Sequence, residues 1–225
     1  MRHWYFNPPM KNFKKQMKAA LLASLFLTVS AAHAAAPAEN ELGFTIEPYA
    51  GWGLLGNLSI SASGSTNSLA TFNGFATGAM AKVRFMRMYF AGVDFTWLPS
   101  ITGAPNSSQS LATATTFNSY KFGLLAGATL PVFPISFWVG YNFLDAFTSN
   151  VTGGNSNTAN TFNGGSLKLG VGYRVFQYLA VNAQYSYSFY SSQTTGGSTQ
   201  SLSSGAGINS NLLLLTASVP VDINL

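Results

Sequence analysis

Between Ser166 and Phe189 large apolar residues recur at every second position. Leu167, Leu169, Val171, Tyr173 and Val175 are separated by Lys168, Gly170, Gly172 and Arg174. After a break at Phe176 and Gln177, Leu179, Val181, Ala183, Tyr185, Tyr187 and Phe189 are separated by Ala180, Asn182, Gln184, Ser186 and Ser188. Successive side chains of a strand point to opposite faces, so this period predicts two strands, and a connection of about two residues makes them antiparallel neighbours.

The same alternation predicts strands over 42–53, 75–85, 88–97, 120–130 and 135–143, and a last one that places Leu213, Leu215, Ala217, Val219, Val221, Ile223 and Leu225 on one face. Short turns are expected at Met86 and Arg87, between Pro131 and Pro134, and at Phe176 and Gln177. Between the resulting hairpins lie four tracts rich in Ser, Thr, Asn and Gly, at 56–71, 98–116, 146–161 and 191–207, which read as long loops. Pro48 falls inside the first strand; having no N–H to donate, it predicts a bulge or a missing ladder bond. Phe72-Asn73-Gly74, Phe117-Asn118-Ser119 and Phe162-Asn163-Gly164 recur every 45 residues, with Ile208-Asn209-Ser210 one residue out of step, each where a long tract gives way to a returning strand. That regularity suggests repeated hairpins.

The two faces differ in an unusual way. One is apolar and aromatic, whereas the other is mostly Gly, Ser, Asn and Gln with scattered charge. A soluble sandwich would turn the apolar face inward and leave a charged surface, but a closed barrel in lipid inverts this, with apolar residues outward and small polar ones inside. The expected fold is therefore all-β: a closed, antiparallel, eight-stranded, up-and-down transmembrane β-barrel over residues 42–225. Trp52, Phe95, Trp97, Tyr187 and Phe189 at one level, and Phe85, Tyr89, Phe137, Tyr173 and Tyr178 at the other, read as interfacial girdles.

The start of the chain changes the picture of charge. Residues 1–34 have a basic lead, an apolar run from Ala19 to Val29 and Ala32-His33-Ala34, the pattern of an export signal cleaved between Ala34 and Ala35, and 35–41 would form a flexible mature N-terminus. Met1, Met10 and Met17 are all possible starts, and the run is short for a retained anchor helix. The formal charge of +5 comes from this segment: five of the eleven basic residues precede Leu21, leaving six basic against six acidic residues. A nucleic-acid partner loses its electrostatic support. The absence of cysteine excludes disulfide and thiolate chemistry.

Candidate chemistry is sparse. On the inward face the alternation places Glu47, Lys82, Arg84, Asp94, Lys121, Lys168 and Arg174. They line either a polar conduit or a salt-bridged plug, and the narrow interior of an eight-stranded barrel favours the plug, with Glu47 paired to Lys82 or Arg84. Both histidines, His3 and His33, lie in the export segment, so the usual nucleophile–histidine pairs have no base in the mature chain; a Ser–Lys pair is the remaining formal option. No catalytic, cofactor-binding or metal-binding residue is assigned.

With its export signal, eight alternating strands, short and long connections on opposite rims and an apolar final residue, the chain resembles the OmpA/OmpX-type family of small outer-membrane barrels. Members usually end in Phe or Tyr, part of the signal read by the assembly machinery, and here Leu225 stands in that place. The resemblance implies a porin-like cell-envelope protein of a Gram-negative bacterium, located in the outer membrane, monomeric, with outer-membrane lipid and the assembly machinery as partners and no cofactor. The expected function is a non-enzymatic barrel with a structural or surface-interaction role. Alternatives are a narrow channel for small or apolar solutes and a secreted, soluble, ligand-binding β-barrel.

Overall fold

A computed structural model describes residues 42–224 except 63–64, 86–87, 106–114, 131–132, 151–158 and 203–205. The export signal, the 35–41 segment, the turn at Met86 and Arg87 and the terminal Leu225 lie outside the described residues. The strands are β1 (Gly43–Ala62), β2 (Ser65–Phe85), β3 (Tyr89–Pro105), β4 (Thr115–Thr129), β5 (Ile135–Asn150), β6 (Ala159–Phe176), β7 (Leu179–Thr195), β8 (Ser198–Ser201), β9 (Ala206–Ser218) and β10 (Val221–Asn224). Each strand from β1 to β7 pairs antiparallel with the next, and β9 pairs with both β7 and β1, closing the barrel. The ten segments form eight staves. β9 and β10 are one stave interrupted at Val219 and Pro220, and β8 is a short return strand on β7 across a turn in which Gly196 and Gly197 take φ of 58° and 85°. Two consecutive positive φ values suit a tight hairpin, and glycine adopts them without steric cost.

Pro48 stays in register with Ala79 on the β2 side. On the other side the ladder breaks, because β1 pairs with β10 only up to Ile46 and with β9 only from Tyr49. One bond bridges the gap, from the Val219 N–H to the Pro48 carbonyl at 3.0 Å. Pro48 thus faces the only stave that is itself interrupted among the described residues, where its missing donor costs one ladder bond.

The long polar tracts differ from expectation. They are not loops over most of their length: β1 continues to Ala62 and β2 starts at Ser65, β3 continues to Pro105, β5 to Asn150 and β7 to Thr195. Their Ser, Thr and Asn side chains pair across the strands, as in Ser61–Thr66 at 3.1 Å, Thr148–Thr161 at 3.1 Å and Thr195–Asn160 at 2.6 Å. Such cross-strand pairs stabilise a sheet that has no apolar face to identify it. With strands of up to 21 residues, against the roughly 9–11 that cross a bilayer, the barrel wall rises well beyond a membrane.

The reason these strands were not legible is a set of bulges at one height. On β1 both Leu54 and Leu55 are exposed, and the pairing shifts there; β5 shifts likewise at the exposed pair Phe143 and Leu144, β3 between Leu98 and Ile101, and β7 near Ser191. A bulge places an extra residue on one strand and reverses the in–out phase beyond it. Each outbound strand therefore stops alternating in the frame set by its first half.

Candidate functional site: a lipid-facing wall around a packed interior

The outer wall has the polarity of a surface that meets hydrocarbon. Val93, Leu124, Val139, Leu169, Val171, Val181 and Leu215 are all exposed between two rings of exposed aromatics. Every girdle residue expected from the sequence is exposed, from Trp52 and Trp97 at one level to Tyr89 and Tyr178 at the other. Along β3, Tyr89 and Trp97 are separated by about 26 Å of strand, or roughly 20 Å along the axis at a tilt of ~40°, close to the apolar band of a transmembrane barrel. An apolar band of this extent is far larger than the patches monomeric soluble proteins expose.

Charge among the described residues is confined to the interior. Among the described residues all nine ionisable acidic and basic side chains point inward and are ion-paired. From the short-turn end, Asp222 lies 3.2 Å from both Arg84 and Arg174 and accepts a hydrogen bond from Thr45 at 2.7 Å. Above it Lys82 pairs with Glu47, whose other oxygen accepts from Ser218 at 2.5 Å and from Asn182 at 3.4 Å; the Lys82 ammonium also sits 5.1 Å from the Phe90 ring centroid. Next, Lys168 pairs with Asp94 and reaches Thr96 at 2.9 Å, while the buried Tyr49 hydroxyl contacts Asp94 at 3.2 Å and Thr96 at 2.6 Å. Highest is Lys121, 2.9 Å from Asp145 and 2.6 Å from Ser188. The Glu47, Asp94, Lys121, Asp145 and Lys168 residues are each no more than 4 % exposed.

Two members of this network, Asp145 and Asp222, were absent from the sequence expectation. In the original frame of β5, Asp145 shares the outward face of Phe143, and only the bulge turns it inward to Lys121. Asp222 was within reach of the pattern, since it alternates with Val221 and Ile223.

Above the charges the interior becomes apolar. Phe72, Phe117, Phe147, Phe162 and Tyr190 are buried, with ring centroids 5.0 Å apart for Phe117–Phe147 and 5.4 Å for Phe72–Phe147. Tyr190 links the set, 6.2 Å from Phe147 and 6.0 Å from Phe162, and its hydroxyl lies 2.9 Å from Ser210. The 45-residue repeat acquires a physical meaning here: Phe72, Phe117, Phe162 and Ile208 come from the inbound staves β2, β4, β6 and β9, and all four are buried. The alternate staves of a barrel contribute to common interior layers. Inward glycines make room for the rings, since a Cβ at Gly56 or Gly103 would enter the Phe72 or Phe117 ring, and one at Gly170 would enter the Trp138 indole. Small polar residues such as Ser166, Asn182 and Ser218 are buried inside as expected, and large rings on glycine sockets share the interior with them.

The chemistry open to the interior is limited. Lys121 donates to Ser188, and Ser188 donates to Asp145 at 2.7 Å. A Ser–Lys catalytic pair requires an amine that accepts the serine proton, whereas here Ser188 donates to Asp145 and the Lys121 Nζ is itself a donor to Ser188, 2.9 Å from the Asp145 carboxylate. Around Phe72, Leu98, Ile101, Lys121 and Phe147 the free interior volume is about 10 Å³, less than a solute requires.

No family model matches the chain, and no curated protein matches it. Solved structures do. Neisserial surface protein A (NspA) is 20 % identical, with 78 % of this chain and 96 % of that one covered at a TM-score of 0.44. Ail, the attachment invasion locus protein of Yersinia pestis, is 10 % identical, with 80 % and 99 % covered at 0.47. The outer membrane protein OprG from Pseudomonas aeruginosa is 12 % identical, with 83 % and 98 % covered at 0.49. These likenesses are of fold alone. By its own strand count, closure and inside-out polarity, the chain has the fold of a small eight-stranded outer-membrane β-barrel.

Proposed function

We propose that this protein is a non-enzymatic integral outer-membrane barrel with a structural or surface-interaction role, and that its interior transports nothing. The observation that carries the reading is the combination of a charge-free apolar wall with an interior filled by paired charges and capped by rings. A conduit needs a continuous polar path, and the ring layer interrupts it. A soluble ligand-binding barrel needs its apolar residues inside, whereas Leu169, Val171, Tyr185 and Leu215 are all exposed. Outer-membrane lipid and the assembly machinery are its partners, and it acts as a monomer. What it offers the medium is the protruding uncharged wall of Ser, Thr and Asn side chains.

Two measurements test this. The detergent-extracted protein is expected in the outer-membrane fraction, with faster gel migration unheated than boiled; recovery from the soluble fraction would refute the membrane placement. In planar bilayers the folded barrel is expected to give no stepwise conductance, and discrete channel openings would replace the sealed interior by a pore.

A further inference from the structure

The outer wall carries a furrow of about 370 Å³ between β5, β6 and β7, just at the upper girdle. Its origin is local. The β5 bulge sends both Phe143 and Leu144 outward, raising one bank. Opposite, β6 presents Gly165, which has no side chain, and the floor is completed by the small, buried Ala146. At the membrane end the Tyr141 and Phe189 rings stack at 6.4 Å and 26°. At the loop end the lining changes to Asn163 and Ser191, an amide side chain and a hydroxyl that donates to the Asn163 backbone carbonyl at 3.4 Å.

We propose that this furrow holds one acyl chain of an outer-leaflet bilayer lipid, with the carbonyl linkage of that chain at Asn163 and Ser191. The inference rests on the membrane placement proposed above. The volume falls in the roughly 300–1,000 Å³ range of small-molecule sites. The furrow is continuous with the lipid-facing band, and its polar end points toward the loops, as does the head of an outer-leaflet lipid. Charge complementarity narrows the chemistry. Asp145 contributes to the lining, but its Oδ2 is turned inward to Lys121 and Ser188 and its Oδ1, which has no hydrogen-bond partner, is buried, so the furrow offers no cation to a phosphate and no exposed charge to an ionised head. What it offers is apolar rings for methylenes and neutral hydrogen-bonding groups for an ester or amide.

The test uses the full-length barrel in phosphatidylethanolamine vesicles, a minority of whose lipid carries a photoactivatable diazirine on one acyl chain. After illumination, lipid adducts are mapped by mass spectrometry. Adducts are expected to be several-fold enriched on peptides containing 141–146 and 163–167 over those from the opposite wall, β1 and β2. Ser191→Trp, which covers the furrow from its rim, is expected to abolish the enrichment. Gly165→Leu should do the same from below, because a Cβ there meets the movable Tyr141 hydroxyl at 3.0 Å and the Phe189 ring at 3.2 Å, though also the Asn142 carbonyl at 3.1 Å. Heat-modifiable migration reports whether each variant folds, and Ser191→Trp leaves the floor intact should Gly165→Leu not fold. Adducts spread evenly round the wall, or enrichment unchanged in folded Ser191→Trp, would each overturn the proposal. Absence of adducts from the entire wall, with no heat-modifiable form, would instead overturn the membrane placement on which it rests.

Discussion

At the scale of single residues, the interior separates charges that need partners from rings that need space. Glu47 is 4 % exposed and has three partners, Lys82, Ser218 and Asn182. Removing one member of a buried pair leaves the other uncompensated, at a cost of about 3–5 kcal/mol. Glu47→Ala should therefore lower the unfolding temperature in detergent, and pairing it with Lys82→Met should recover part of the loss; an unchanged unfolding temperature for the single variant would remove the ion pair from any structural role. Phe147, 1 % exposed and in ring contact with Phe72, Phe117 and Tyr190, should lose about 3–5 kcal/mol on replacement by Ala, read from the urea midpoint of the folded barrel. The two residues were not equally legible. Glu47 alternates with Ile46 and Pro48 in a strand whose phase is unbroken from Phe44 to Trp52, so its direction follows from its number. Phe147 lies beyond a bulge, so counting from Phe137 places it, with Phe143, on the lipid side.

At the scale of elements, each outbound stave behaves as two short strands of opposite phase joined by a bulge. The half that crosses the membrane, first on outbound staves and last on inbound ones, can be read by alternation, and it places apolar residues outward, as inbound β6 does with Leu169. Leu169, 57 % exposed in the middle of the band, provides the clearest contrast. Leu169→Arg should cost about 2–4 kcal/mol near the bilayer midplane and reduce the heat-modifiable form, whereas Leu169→Ala should leave assembly intact; equal yields of folded protein from the two would contradict a lipid-facing β6. The other halves carry the Ser, Thr and Asn tracts. Those residues have no apolar partner face, and the same composition is common in solvated loops, so only pairing with a neighbouring stave distinguishes the two. The hairpin of β7 and β8 illustrates this: Thr194 and Thr199 are 3.0 Å apart across a Gly196–Gly197 turn, in a tract whose composition alone indicates no strand.

For the whole molecule, the sequence by itself determined the number of staves, their antiparallel order, the outward direction of the apolar face and seven of the inward charges, because all of these follow from a period of two that repeats between short turns. It also contained the repeat of Phe72, Phe117 and Phe162, without indicating where those rings go. Tertiary structure alone decided that the rings meet in one layer, that Asp145 turns to Lys121, and that the polar tracts continue the wall above the membrane. The physical reason is common to the three. Phase along a strand is a local property that survives only until the first bulge, and a bulge is defined by the partner strand, through the mismatch of two residues against one. Closure of the barrel fixes those mismatches at one height, and with them which side chains fill the centre and which face lipid.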